Sequence, residues 1–149
     1  AVMEGRGFRR EDFRTFHPGG KLGARLAKVS QLMHPAAQAP IVGADTPMSE
    51  TLIEMTAKGF GIACVTDDGG RLLGVISDGD LRRAIDGLLD RRAGEVATRQ
   101  PVTTSPDMLA AEAVALMQQG KVTTLVVTRA DRVPVGVLRI HDCLRAGVV

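Results

Sequence analysis

Ser77 and Asp80 stand three residues apart, where an apolar run ends and a polar stretch begins: Gly74-Val75-Ile76-Ser77-Asp78-Gly79-Asp80-Leu81. An apolar run closed by Ser-Asp-Gly-Asp reads as a strand turning into a helix. Gly74 permits close approach of another backbone. Ser77 sets a hydroxyl just before a helix N-terminus, where free N–H groups and the dipole favour an anion. Asp80 lies in the first turn, and a carboxylate there can accept two hydrogen bonds from a ribose diol. Ribose on the acid and phosphate near the hydroxyl make a coherent nucleotide site. The same residues also satisfy a plainer reading, in which Ser77 caps the helix and Asp80 favours its dipole. Other chemistries lack their pattern. Asp78-Gly79-Asp80 has neither the regular oxygen spacing nor the distal Glu of a calcium loop. His34, His141, Cys64 and Cys143 have no metal-ligand spacing, so no metal is expected. No Gly-x-Ser-x-Gly elbow is present.

The turn occurs twice. Shifted by 62 residues, Gly74-Val75-Ile76 falls on Gly136-Val137-Leu138, Asp80 on Asp142, Arg83 on Arg145 and Ala84 on Ala146. Val65-Thr66 falls on Val127-Thr128 and Met55 on Met117, while Pro40 meets Pro101 one residue out of register. Such self-similarity takes precedence over any single motif. Each unit begins with an extended segment, Pro40-Ile41-Val42 or Pro101-Val102-Thr103. A helix follows over 48–57 or 109–119, with Leu52, Ile53 and Met55, or Ala113, Val114, Leu116 and Met117, turned inward. Two apolar strands joined by a short polar turn come next, 62–66 with 72–76 and 125–128 with 133–138. A last helix opens at Ser77–Asp80 or His141-Asp142. One such unit has a thin sheet and is marginal alone, so two are expected to bury their sheets against each other. The fold class expected is α+β, two β-α-β-β-α repeats packed as a pseudo-twofold pair.

Composition sets the boundary of this body. The 149 residues carry a net charge of +2, 44% apolar residues and only four Phe. Residues 1–35 hold seven Lys/Arg against three acids and three of the Phe, whereas the rest holds twelve against fourteen. A nucleic-acid partner needs a basic folded face, which a mildly acidic body does not offer. No apolar run approaches the ~18 residues of a membrane span, and no secretory leader opens the chain. Two cysteines make no disulfide framework, so buried free thiols and a cytoplasmic location are expected. Phe16-His17-Pro18-Gly19-Gly20 breaks any helix. Leu22, Leu26, Val29, Leu32 and Met33 then sit at helical spacing up to His34-Pro35.

The doubled Gly-x-x-Ser/Thr-x-x-Asp turn in a unit of ~60 residues resembles the tandem CBS domain pair (Bateman module), over residues 36–149. The resemblance implies nucleotides such as AMP or ATP in clefts between the repeats. The ligand set it implies is Ser77, Asp78, Gly79, Asp80 and Arg83 at the first turn and Arg139, His141 and Asp142 at the second. Ile41, Thr46, Val102, Thr103 and Thr104 complete it from the segments leading into each repeat. The second copy departs, because Arg139 stands where the hydroxyl residue belongs. A bulky cation there can block a ribose-phosphate pose or recruit an added carboxylate or phosphate. The two clefts are therefore not equivalent.

A second likeness lies in Phe16-His17-Pro18-Gly19-Gly20-Lys21-Leu22-Gly23-Ala24-Arg25-Leu26, Met33-His34, Ser77 through Arg83, and His141 through Val149. These resemble bacterial arabinose-5-phosphate isomerases, enzymes with a sugar-isomerase (SIS) domain followed by a CBS pair. The resemblance implies residues 1–16 as a remnant of the SIS domain, 17–35 as linker, and repeats at 36–95 and 96–149. It implies conversion of ribulose 5-phosphate to arabinose 5-phosphate for Kdo and lipopolysaccharide synthesis, on a domain this chain lacks. The chain alone should then be inactive, with His17 a contributor only in the full-length enzyme. No cofactor is implied. CMP-Kdo enters as a feedback ligand whose carboxylate Arg139 and His141 can meet. The partners implied are a nucleotide-type ligand, the SIS domain, and a second CBS pair in a homodimer within a tetrameric enzyme. The alternative is an oligomerisation clamp with no ligand.

Overall fold

The computed structural model describes residues 23, 24 and 26–148. His17 and the 1–16 segment lie outside the described residues. In the first repeat, β2 (Ile41–Gly43) runs parallel to β3 (Ile62–Thr66), with α2 (Met48–Lys58) crossing between them. Pro47 leads α2 with φ already at −59°, and Gly59 closes it in the left-handed region at φ 76°, its N–H bonded to the Met55 carbonyl. β4 (Leu72–Ser77) returns antiparallel to β3. Asp67 Oδ1 builds the turn between them by accepting from the amides of Gly69 and Arg71, both at 2.9 Å. α3 (Asp78–Arg83) follows β4, and a short α4 (Ala93–Val96) lies further on.

The second repeat reproduces this order with β6 (Thr103–Thr104), α5 (Ala110–Gly120), β7 (Thr124–Thr128), β8 (Pro134–Arg139) and α6 (Ile140–Arg145). The likeness extends to defects. The β3/β4 ladder slips between Val65 and Thr66, and the β7/β8 ladder slips between Val127 and Thr128, 62 residues on.

Each sheet is completed by a strand from outside its repeat. β1 (His34–Pro35) pairs antiparallel with β8, and β5 (Thr98–Arg99) pairs antiparallel with β4. The sheet orders are β2-β3-β4-β5 and β1-β8-β7-β6. His34-Pro35, placed in the linker by sequence, is thus an edge strand of the second sheet. Glycine makes both pairings possible. A Cβ on Gly74 would lie under 3.0 Å from the Thr98 carbonyl, and one on Gly136 would do the same to the His34 carbonyl.

The sheets face each other over Cys64, Leu72, Val126, Val137 and Ala39. Alternation along a strand sends neighbouring residues to opposite faces. Ala63 and Val65 therefore pack on the helices of the first repeat, and Leu125 and Val127 on those of the second. Burial on both faces explains why these strands are continuous apolar runs rather than alternating ones. Each fully buried Val or Leu contributes about 1.5–3 kcal/mol.

Two expectations are corrected. On α2 the buried residues are Met48, Thr51 and Met55, while Ile53 is 69% exposed. Thr51 is tolerated inside because its hydroxyl donates to the Pro47 carbonyl at 3.1 Å. Among the described residues the stretch before His34 is not one helix: Gly23 and Ala24 are helical, Leu26 to Lys28 leave the helix with Leu26 exposed, and Val29–Leu32 forms α1. The chain is drawn out of helix by backbone bonds to the start of α5, from the Val29 amide to Met108 and from the Ala110 amide to Ala27. The first repeat has the same brace, from the Met48 amide to Arg91 and from the Ala93 amide to Thr46.

Candidate functional site

Where β4 gives way to α3, Ser77 is the N-cap, in extended conformation. Its backbone N–H donates to Asp80 Oδ2 at 2.9 Å, its hydroxyl donates to the same oxygen at 3.1 Å, and the Asp80 amide points back at the hydroxyl. This is a reciprocal capping arrangement with Asp in the third position. The other oxygen, Oδ1, accepts from the Thr98 hydroxyl at 2.6 Å and from the Arg83 guanidinium. Asp80 is 5% exposed. Burial pushes its carboxyl up, but the bonds from Thr98, Ser77 and Arg83 outweigh that and hold it below the usual carboxylate range. The capping role and the acceptor role thus reside in one residue.

A cleft of about 590 Å³ opens beside this turn. One wall is Phe60–Ile62, Val75 and Ser77–Asp80, and the other is Thr98, Gln100–Val102, Lys121–Thr124 and Val126. It lies between the repeats. Its apolar lining comes from the strand ends, while Asp78, Asp80 and Lys121 supply its charged groups.

Of the residues singled out by sequence, Ser77, Asp78, Gly79, Asp80 and Val102 line this cleft. Arg83 sits behind them, paired with Asp80 and largely exposed. Thr103 and Thr104 line a separate hollow with Ser105–Met108 and Thr128–Ala130. Ile41 packs at the core between the sheets, and the Thr46 hydroxyl accepts from the Gly43 amide in the turn before α2.

Arg139, Asp142 and His141 belong to the second turn, where only His141 is exposed. Arg139 Nε and Nη2 donate to the two oxygens of Asp142, each at 3.3 Å. Arg145 Nη2 donates to Oδ1 at 2.6 Å, and His34 Nε2 lies 3.0 Å from Oδ2. Burial raises the Asp142 carboxyl, but Arg139 and His34 outweigh it and hold the group low.

On the opposite wall of the cleft, sequence reasoning named Val102 and missed the rest, in particular Lys121 and Gln100. Both carry positive φ, 56° and 54°, which is uncommon outside glycine. A signal for Lys121 existed, since the 62-residue register sets it on Gly59, a helix-closing glycine.

The fold and the doubled turn define a tandem CBS pair. The family model described as CBS domain matches residues 29–87 and 93–149, and the chain belongs to that family. Across its full length it is 46% identical to arabinose 5-phosphate isomerase KdsD of Pseudomonas aeruginosa and 39% identical to that of Escherichia coli (strain K12). It covers 47% and 46% of those two proteins, so the chain spans about half the length of the curated relatives it matches. Among solved structures, CBSX2 in complex with AMP is similar with a TM-score of 0.71 at 25% identity, over 82% of this chain and 96% of that one. Among the described residues no helix is long and apolar enough to cross a membrane.

Proposed function

We propose that this chain is the regulatory CBS pair of an arabinose-5-phosphate isomerase and takes a nucleotide-type ligand in the cleft between Ser77–Asp80 and Lys121–Thr124. The observation that carries this reading is the cleft itself. It joins a Ser-x-x-Asp turn of one repeat to a lysine of the other, at about 590 Å³. Small-molecule sites run to about 300–1,000 Å³. The AMP complex of the similar CBSX2 supports an adenine nucleotide, and the full-length likeness to the isomerases supports the parent enzyme.

In this reading a ribose hydroxyl replaces the Thr98 hydroxyl on Asp80 Oδ1. Lys121 meets the phosphate, and Ile62, Val75, Val102 and Val122 enclose the base. A ligand that joins the walls biases how the repeats sit, and through the segment before His34 how the isomerase domains sit. Calorimetric titration with AMP, ATP and CMP-Kdo tests the reading. Saturable heat with any of the three is expected, and no heat with all three overturns it.

One observation favours a second reading, a clamp between subunits with an unused cleft: Asp80 is already fully hydrogen-bonded by its own chain. Exposed Ile53, Ile85 and Leu89 would then supply the contact. A chain that sediments as a dimer and stays silent in the titration is the outcome specific to the clamp.

A further inference from the structure

The two turns have the same backbone but opposite contents. The strand ladders set Thr98 opposite Val75 and His34 opposite Val137, so Thr98 and His34 are counterparts. The repeat register makes Ser77 the counterpart of Arg139, and Val122 that of Phe60. Around Asp80 these positions hold two hydroxyls and one isopropyl group, and a cleft stands open. Around Asp142 all three are larger: Arg139, His34 and Phe60.

These side chains pack on one another. The Arg139 guanidinium lies 5.2 Å from the centre of the Phe60 ring, a cation–π contact. The His34 and Phe60 rings meet edge to face at 5.0 Å. Arg139 donates to both oxygens of Asp142, each at 3.3 Å, a two-pronged pairing of guanidinium with carboxylate. His34 Nε2 is nearer to Asp142 Oδ2, at 3.0 Å, than to Arg139 Nη2, at 3.3 Å. The ionised carboxylate can only accept, so at 3.0 Å the Nε2–H of the ring donates to it.

We propose that Arg139 is a built-in occupant of the second cleft, seated on Asp142 and capped by Phe60, so that each chain binds one nucleotide and not two. The inference rests on the nucleotide reading of the first cleft for the count of one. The occupancy of the second stands on its own geometry. The consequence is an asymmetric module whose single ligand joins the Ser77 turn to the Lys121 wall, with the opposite side closed by the protein.

Calorimetric titration with AMP, on the whole chain and on Arg139→Ser, tests this. The serine restores the Ser-x-x-Asp order of the first turn, and Asp142 keeps Arg145 and His34, so the variant retains partners for its buried acid. One site per chain is expected in the parent and two in the variant. Two sites in the parent, one unchanged site in the variant, or loss of the parent's site on removing Arg139 each overturns the proposal. The last would mean that Arg139 recruits the ligand. No binding by the parent with one site gained by the variant upholds the occupant and overturns the reading of the first cleft. No binding by either overturns both. If circular dichroism shows that Arg139→Ser does not fold, Ser77→Arg is the reciprocal arm. It is expected to abolish the parent's site, and retention of that site overturns the proposal.

Discussion

Lys121 closes α5 in a conformation that favours glycine, at φ 56°, where the first repeat uses Gly59 at φ 76°. A non-glycine residue there carries roughly 1 kcal/mol of strain. Lys121→Gly is expected to raise the urea midpoint by the equivalent of about 0.5–1 kcal/mol. It should weaken AMP several-fold while leaving adenosine nearly unchanged, as read by calorimetry. The two buried acids set the response to pH. Asp80 and Asp142 are both held below the ordinary carboxylate range. Their stabilisation is complete above the unfolded pKa near ~3.9 and is lost as pH falls through the folded values. Urea midpoints should therefore be flat from about pH 7 to 5 and fall below that. Asp142→Asn should lower the plateau and flatten the acid limb. Burial also pushes the Cys64 thiol up to about 12 and the Cys143 thiol up to about 11. A thiol-specific reagent at pH 8 should label neither until the chain is unfolded, because the thiolate is the reactive form.

At the scale of elements, two glycines decide how the sheets close. Gly74 and Gly136 let β5 and β1 come against β4 and β8 at distances that admit no side chain. Gly74→Ala is expected to cost about 1–3 kcal/mol by overpacking. It should also loosen the bond from Thr98 to Asp80, read as lower amide protection at Thr98. Gly136→Ala should do the same to His34 and Asp142. The two long helices, α2 and α5, were legible to within a residue because their apolar period runs over three turns, whereas the stretch before His34 and the short α4 were not. Which face of α2 turns inward was not, because Ile53 and Thr51 exchange the roles their hydropathy suggests. Thr51 is acceptable inside only once its hydroxyl has found the Pro47 carbonyl, one turn back along the helix.

The whole molecule is a pair that exchanges edges. Because β1 belongs to the second sheet, a chain starting at Ala36 should lose amide protection along β8 while β2–β4 keep theirs. Hydrogen exchange on the truncated chain checks this, and equal loss in both sheets would contradict the exchange. The exchange also links the candidate site to the fold: β5 brings Thr98 to Asp80, and β1 brings His34 to Asp142. Neither two-residue strand has a period or a composition of its own, so pairing with a partner sheet alone makes it a strand.

The repeat, the α+β class and the Ser77–Asp80 half of the cleft were readable from residues alone. They rest on identities in register and on groups adjacent along the chain, where local geometry settles what they can do. Packing decided the rest. It set Lys121 and Gln100 beside Val102 across from Asp80, gathered Arg139, His34 and Phe60 around Asp142, and carried His34-Pro35 into the far sheet. Those placements depend on contacts between residues about 20 to more than 100 positions apart, whose relative positions exist only once the two sheets have closed on each other.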